Sequence, residues 1–142
     1  MLQRSMLLAL FFIGFSAVAL EQESPSAAPD GVTVYIISPE DGQAVPQTFK
    51  VQFGLNGMGV APAGIDMATT GHHHLLIDGG VLPNMTKPMP PSDKLRHFGG
   101  GHTETQLTLA PGMHTLQLIL GNYAHVPYNP PLLSKKITVI VK

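Results

Sequence analysis

The sequence predicts an all-β protein, an antiparallel β-sandwich of six to seven strands in a single domain. Three observations carry this. Apolar residues recur at every second position, the period of a strand with one buried face. Glycine (15) and proline (13) gather between those runs, where chain reversals need them. Beyond the N-terminal segment, no stretch of useful length repeats at the 3.6-residue period of a helix.

Residues 1–19 read as an address. Arg4 precedes the apolar run 6–15, and Ala17-Val18-Ala19 supplies an A-x-A cleavage site, so a secretory signal peptide cleaved after Ala19 is expected. The run is shorter than the ~20 residues of a membrane-spanning helix. No later stretch is apolar enough, so no membrane span is expected once the signal is removed. The expected destination is the periplasm or the exterior of the cell. Residues 20–30, small, polar and proline-containing, read as a flexible lead-in to a β-sandwich domain over residues 31–142.

Within the domain the β-branched run 32–37 predicts a first strand, stopped by Ser38-Pro39-Glu40-Asp41-Gly42. Residues 48–55 alternate cleanly, with Phe49, Val51, Phe53 and Leu55 on one face. A Gly/Pro/Ala-rich loop over 56–71 leads to a strand over 72–78, closed by Asp78-Gly79-Gly80. A second long loop over 83–101 ends in Gly99-Gly100-Gly101. Residues 103–109 alternate, turn at Ala110-Pro111-Gly112-Met113, and return as an alternating strand over 114–120. A third loop, 122–134, precedes a last strand over 135–141, with Ile137, Val139 and Val141 on one face. A seventh strand is expected near Val81-Leu82 or over 95–98. The Ser-Pro-Glu-Asp-Gly turn and the hairpin through Pro111-Gly112 resemble those of bacterial immunoglobulin-like domains, which adds that fold to the expectation but no function.

Composition removes several function classes. Eight Lys+Arg against nine Asp+Glu give a formal net charge of −1, with no basic cluster, so no nucleic-acid partner is expected. With no cysteine there is no disulfide framework, thiolate metal site or cysteine nucleophile. There is no G-x-S-x-G elbow, no P-loop and no dinucleotide-binding glycine pattern.

Seven histidines are the unusual feature: His72, His73, His74, His97, His102, His114 and His125. On a strand, His72 and His74 face one side and His73 the other. Such an H-x-H pair presents two imidazoles to one ion and suits copper or zinc. Further ligands are sought in His102, after the triple glycine, in His114, at a strand start, and in His125, in the third loop. Asp78 and Glu104 are candidates to supply oxygen ligands or to orient an imidazole. A purely structural role stands beside this reading. His114 shares parity with Leu116, Leu118 and Leu120, and His73 with Leu75 and Ile77, so either ring is placed to close the core. His97, beside Arg96, reads as an exposed loop residue. The apolar run 75–77 leaves open which face of the histidine strand is inward.

Several segments together resemble one family. They are Phe53-Gly54-Leu55-Asn56-Gly57-Met58-Gly59, Gly71-His72-His73-His74-Leu75-Leu76-Ile77-Asp78, Phe98-Gly99-Gly100-Gly101-His102-Thr103-Glu104-Thr105, Leu109-Ala110-Pro111-Gly112-Met113-His114-Thr115-Leu116, and the stretch from His125-Val126-Pro127 through Pro130-Pro131. In this order they resemble the bacterial domain-of-unknown-function family 4399. The resemblance implies a small exported all-β protein and no assigned activity. It places weight on His72, His73, His74, His114 and His125 over His97. His102 stands where the family usually has Gln, which counts against His102 as an essential ligand.

Two functions follow as expectations. One is a periplasmic module binding copper or zinc through strand and loop histidines, its affinity fading as the pH falls through roughly 6 because imidazole ligates only when neutral. The other is a non-enzymatic domain that contacts an envelope protein through its long loops, with the histidines as internal hydrogen-bond struts. An enzyme has only histidine with Asp78 or Glu104 as acid–base material.

Overall fold

The computed structural model describes residues 25–79 and 82–142, and nine strands and no helix lie among them. In chain order they are β1 (Thr33–Ser38), β2 (Ala44–Val45), β3 (Thr48–Asn56), β4 (Gly59–Val60), β5 (Thr70–Ile77), β6 (Leu95–His97), β7 (Glu104–Thr108), β8 (Gly112–Gly121) and β9 (Ile137–Val141). The signal peptide expected over 1–19, the start of the lead-in and Val81 lie outside the described residues.

The strands form two facing sheets, as expected of a sandwich. One has three strands in the order β1-β3-β7, and the other runs β2-β9-β8-β5-β4, with β6 also paired to β5. The long ladders are antiparallel: β1 with β3, β3 with β7, β5 with β8 and β8 with β9. The short pairs β2–β9 and β4–β5 are parallel. These two-residue strands have no alternation long enough to be read from sequence, which is why the strand count exceeds the six to seven expected.

Alternation places the core between the sheets. Phe49, Val51 and Phe53 of β3 meet Leu75 and Ile77 of β5, Leu116, Leu118 and Leu120 of β8, and Val139 and Val141 of β9. Burying this apolar surface is the main stabilising term, roughly 1.5–3 kcal/mol per large side chain.

Strand β5 differs from the others. Every residue from Gly71 to Ile77 is buried, so both of its faces are covered, as its unbroken apolar run requires. The inner face carries His73, Leu75 and Ile77. The outer face carries His72, His74 and Leu76. A second, smaller core lies over that outer face: Leu76, Met89, Leu95 and Ile119, with Met85 and Leu133 packed against it. Two long loops supply the cover. The chain before β6 brings Met85 and Met89, and the 122–134 loop returns along β8, where the Leu120 amide donates to the Leu132 carbonyl (3.0 Å) and Ser134 Oγ accepts from the Leu118 amide (2.8 Å).

The lead-in is tied to the same loop. The Ala28 amide donates to Asn129 O (3.0 Å), and the Asn129 amide donates to Ser26 O (2.9 Å).

Candidate metal centre

Four histidines meet on the outer face of the six-stranded sheet. His72 and His74 project from β5 two residues apart, with ring centroids 4.8 Å apart. Strand β6 pairs antiparallel with β5 so that His97 lies opposite His74, and the two rings stack at 5.1 Å and 21°. His125 arrives from the 122–134 loop, its ring 4.9 Å from that of His72 and 4.3 Å from that of His97. One nitrogen from each of the four rings lies within 4.8 Å of the others. A tetrahedral ion with metal–nitrogen bonds of about 2.0–2.1 Å would need nitrogens roughly 3.4 Å apart, so the wider pairs in this group would have to close to hold one.

The local sequence builds this cluster in identifiable ways. Gly121 sits opposite His72 in the β5–β8 ladder. A Cβ there would fall 2.7 Å from His74 Cε1 and 3.2 Å from the Met89 methyl. Glycine at 121 therefore makes the space for His74. Gly99 does the same for His97, whose Cε1 would lie 2.4 Å from an added Cβ. His125 adopts a positive φ of 65°, a conformation that a non-glycine residue keeps only when its surroundings hold it. Buried Asn122 holds it. Its Oδ1 accepts from the Ala124 and Val126 amides (3.0 Å each), its carbonyl accepts from the His125 amide (3.0 Å), and its Nδ2 donates to Ser26 Oγ (3.0 Å). The His125 carbonyl in turn accepts from the Met89 amide (3.0 Å), which locks the two covering loops together across the site.

Burial sets the protonation of the rings. His72 and His74 are almost wholly enclosed, while His97 is exposed and His125 half-buried, so the cluster opens to solvent on the His97 side. Desolvation, then repulsion from His125, His97 and His73, lowers His72 to about 4. Desolvation and the neighbouring His72, His97 and His125 lower His74 to about 3, outweighing a backbone interaction with His72 that raises it. His97 is lowered too, by burial and by His125. These rings are neutral at pH 7 and carry free lone pairs, the form that ligates metals.

Hydrogen bonding leaves those lone pairs largely unused. His72 Nε2 and His125 Nδ1 share one hydrogen bond, 3.0 Å long. His72 Nδ1 and both ring nitrogens of His74 have no partner. Buried polar atoms are normally satisfied, and an orphan costs about 1–3 kcal/mol. A metal ion would satisfy one lone-pair nitrogen on each ring, so the residues present fit one.

The other candidates from the sequence lie elsewhere. His114 is not brought to the cluster. Its Nδ1 donates to Asp78 Oδ2 (2.7 Å) and its Nε2 to the Ala110 carbonyl (2.8 Å), a pair of bonds that only the imidazolium makes. The hydrogen bonds to Asp78 and Ala110 accordingly raise its pKa. Asp78 is therefore not an orienting group for the cluster. It clamps the β5 end to β8, accepting also from the Thr115 amide (2.9 Å). Burial raises its pKa, but its bonds to His114 and Thr115 and the charges of His114 and Lys94 outweigh this and leave it lowered. His102 packs against Phe98, with ring centroids 6.4 Å apart. Glu104 lies on the three-stranded sheet, paired with Lys50 Nζ (2.9 Å) and accepting from Gln52 Nε2 (3.2 Å). His73 faces the main core against Phe53, at 5.3 Å. It is lowered to about 4 by burial, and neither ring nitrogen has a partner.

His97 is the residue the sequence reading passed over. It is exposed, as expected, but it belongs to β6 rather than to a loop. The signal was the short apolar element over 95–98. Once Leu95 is placed on a strand facing Leu76, His97 shares its parity and faces His74.

Fold and site together define a β-sandwich with a tetrahistidine cluster under two covering loops. The chain belongs to the domain-of-unknown-function family DUF4399, whose family model matches residues 51–142. That span contains all four cluster histidines. No curated protein and no solved structure matches the chain.

Proposed function

We propose that this protein is an exported binding module for a transition-metal ion of the copper or zinc class, held by His72, His74, His97 and His125. One observation carries the reading: His74 is buried in a cluster with three other imidazoles, and neither of its ring nitrogens makes a hydrogen bond of ordinary geometry, its backbone interaction with His72 aside. Nitrogen-only donor sets of this kind suit copper and zinc. The expected export rests on the N-terminal segment alone.

A second reading has a specific observation in its favour. The hydrogen bond between His72 and His125 joins β5 directly to the 122–134 loop, and histidines acting as struts would hold the loops for contact with an envelope protein. The two readings separate on metal content. The tag-free mature protein, isolated without chelator, is expected to carry close to one equivalent of a single transition metal. His97→Ala, an exposed change, is expected to weaken metal affinity at least tenfold while leaving the melting temperature of the metal-free protein within a few degrees. A wild-type protein that holds no metal, and whose melting temperature copper and zinc leave unchanged, refutes the metal reading and favours the struts.

A further inference from the structure

We infer that the tetrahistidine cluster, if it binds metal as proposed above, selects monovalent copper over divalent copper and zinc. The argument is one of charge. All four donors are neutral imidazoles, and no carboxylate shares the group. The acids that might have balanced an ion are committed elsewhere, Asp78 to His114 and Thr115, and Glu104 to Lys50 and Gln52. Neither nitrogen of His74, nor Nδ1 of His72, donates to a carboxylate that would push negative charge toward the ion. The nearest charged neighbour in sequence, Arg96, adds positive charge.

The surroundings sharpen this. His72 and His74 are buried, and the wall beside them is the small apolar core of Leu76, Met89, Leu95 and Ile119. An uncompensated ion in such a setting loses hydration energy, a cost that grows with the square of its charge. A monovalent ion bears about a quarter of the cost of a divalent one in the same site. The His74 ring and the methyl end of Met89 both border the space above Gly121, and a thioether belongs to the soft class that favours Cu(I).

The test is an anaerobic competition titration of the folded full-length mature protein with Cu(I), beside parallel titrations with Cu(II) and Zn(II), each against a chromophoric chelator. Cu(I) is expected to be held at least 100-fold more tightly than either divalent ion. For copper that ratio corresponds to a one-electron potential about 118 mV above the aqueous couple, at 59 mV per tenfold. His97→Asp places an anion at the exposed edge of the cluster and is expected to cut the Cu(I)/Cu(II) affinity ratio at least tenfold. Divalent copper or zinc held as tightly as Cu(I) overturns this inference and leaves the metal reading standing. An unchanged ratio in His97→Asp overturns the charge argument. Failure of all three ions to bind overturns both this inference and the function on which it rests.

Discussion

Each imidazole in this chain is tuned by what surrounds it, and the tuning has opposite signs at two places. In the metal-free protein, burial lowers His72 and His73 to about 4 and His74 to about 3. The unfolded chain protonates these rings below about 6.5 while the folded chain resists. Over that window the unfolded state binds more protons, so stability falls as pH falls, by up to about 1.4 kcal/mol per pH unit for each ring. His114 runs the other way. Its raised pKa contributes stability that is complete below about 6.5 and lost as pH rises through the folded value, while lowered Asp78 contributes stability lost as pH falls through its own folded value. Urea midpoints of the metal-free protein are expected to drop between pH 6.5 and 4.5. His114→Gln should lose stability at pH 6 but little at pH 9, and by no more than about 1 kcal/mol because the pair is partly in solvent. For metal binding the same burial moves proton competition at His72 from roughly 6, the expectation for an ordinary imidazole, to about 4, so titrations between pH 7 and 5 should show that His72 is not the ring whose protonation limits affinity.

The residue scale also includes Gly121. An alanine methyl there would sit 2.7 Å from His74 Cε1 in a filled space. Gly121→Ala is expected to destabilise the fold by about 1–3 kcal/mol and to weaken metal binding by displacing His74, both readable from melting curves with and without metal.

At the scale of elements, the site is a covered strand. β5 brings two of the cluster histidines, β6 a third, and the 122–134 loop a fourth. The loop stays in place because Asn122 satisfies its turn and Tyr128 Oη donates to the Thr70 carbonyl (2.5 Å). Asn122→Ala removes acceptors from two amides, one of them buried, and is expected to cost about 1–3 kcal/mol. It should loosen His125, lowering metal affinity more than His102→Ala, whose ring lies beside Phe98 and outside the cluster. The strands themselves were legible. The alternation in β3, β8 and β9 fixed which residues face the core, and Asp78-Gly79 marked the end of β5. Pro111-Gly112 marked the end of β7, but the expected hairpin there is corrected: β7 pairs with β3 and β8 with β5 and β9, so this turn carries the chain from one sheet to the other. β2 and β4 were not legible, because two residues carry no period.

For the whole molecule, the sandwich has one sheet whose outer face carries exposed apolar residues and one whose outer face is roofed over β5 and the adjoining part of β8, leaving Met113 and Ile140 exposed at its other end. Exposed Tyr35 and Ile37 stand on the three-stranded sheet, whereas His72, His74 and Leu76 lie beneath loops. Strand β5, flanked on both edges and covered on both faces, and its neighbour β8 should be the last segments to open. Hydrogen exchange is expected to show the slowest amides in Leu75–Ile77 and Leu118–Leu120, with residues 85–92 exchanging far faster.

The sequence by itself determined the all-β class, the two-residue period that sorts core from surface along most strands, and the H-x-H pair that puts His72 and His74 on one side. These are local properties, set by backbone geometry over a few residues. Only the tertiary structure decided the rest. β5 is apolar on both parities, so its period cannot say which histidines face inward, and the answer came from the loops that cover its outer face. Loop histidines carry no signal of where their loops return. Pairing of His97 with His74 and the Asn122-held turn of His125 completed the cluster, while the bonds to Asp78 and Ala110 held His114 at the end of the β5–β8 pair. Those choices depend on contacts between residues far apart in the chain, where packing and hydrogen bonding, not periodicity, select the partner.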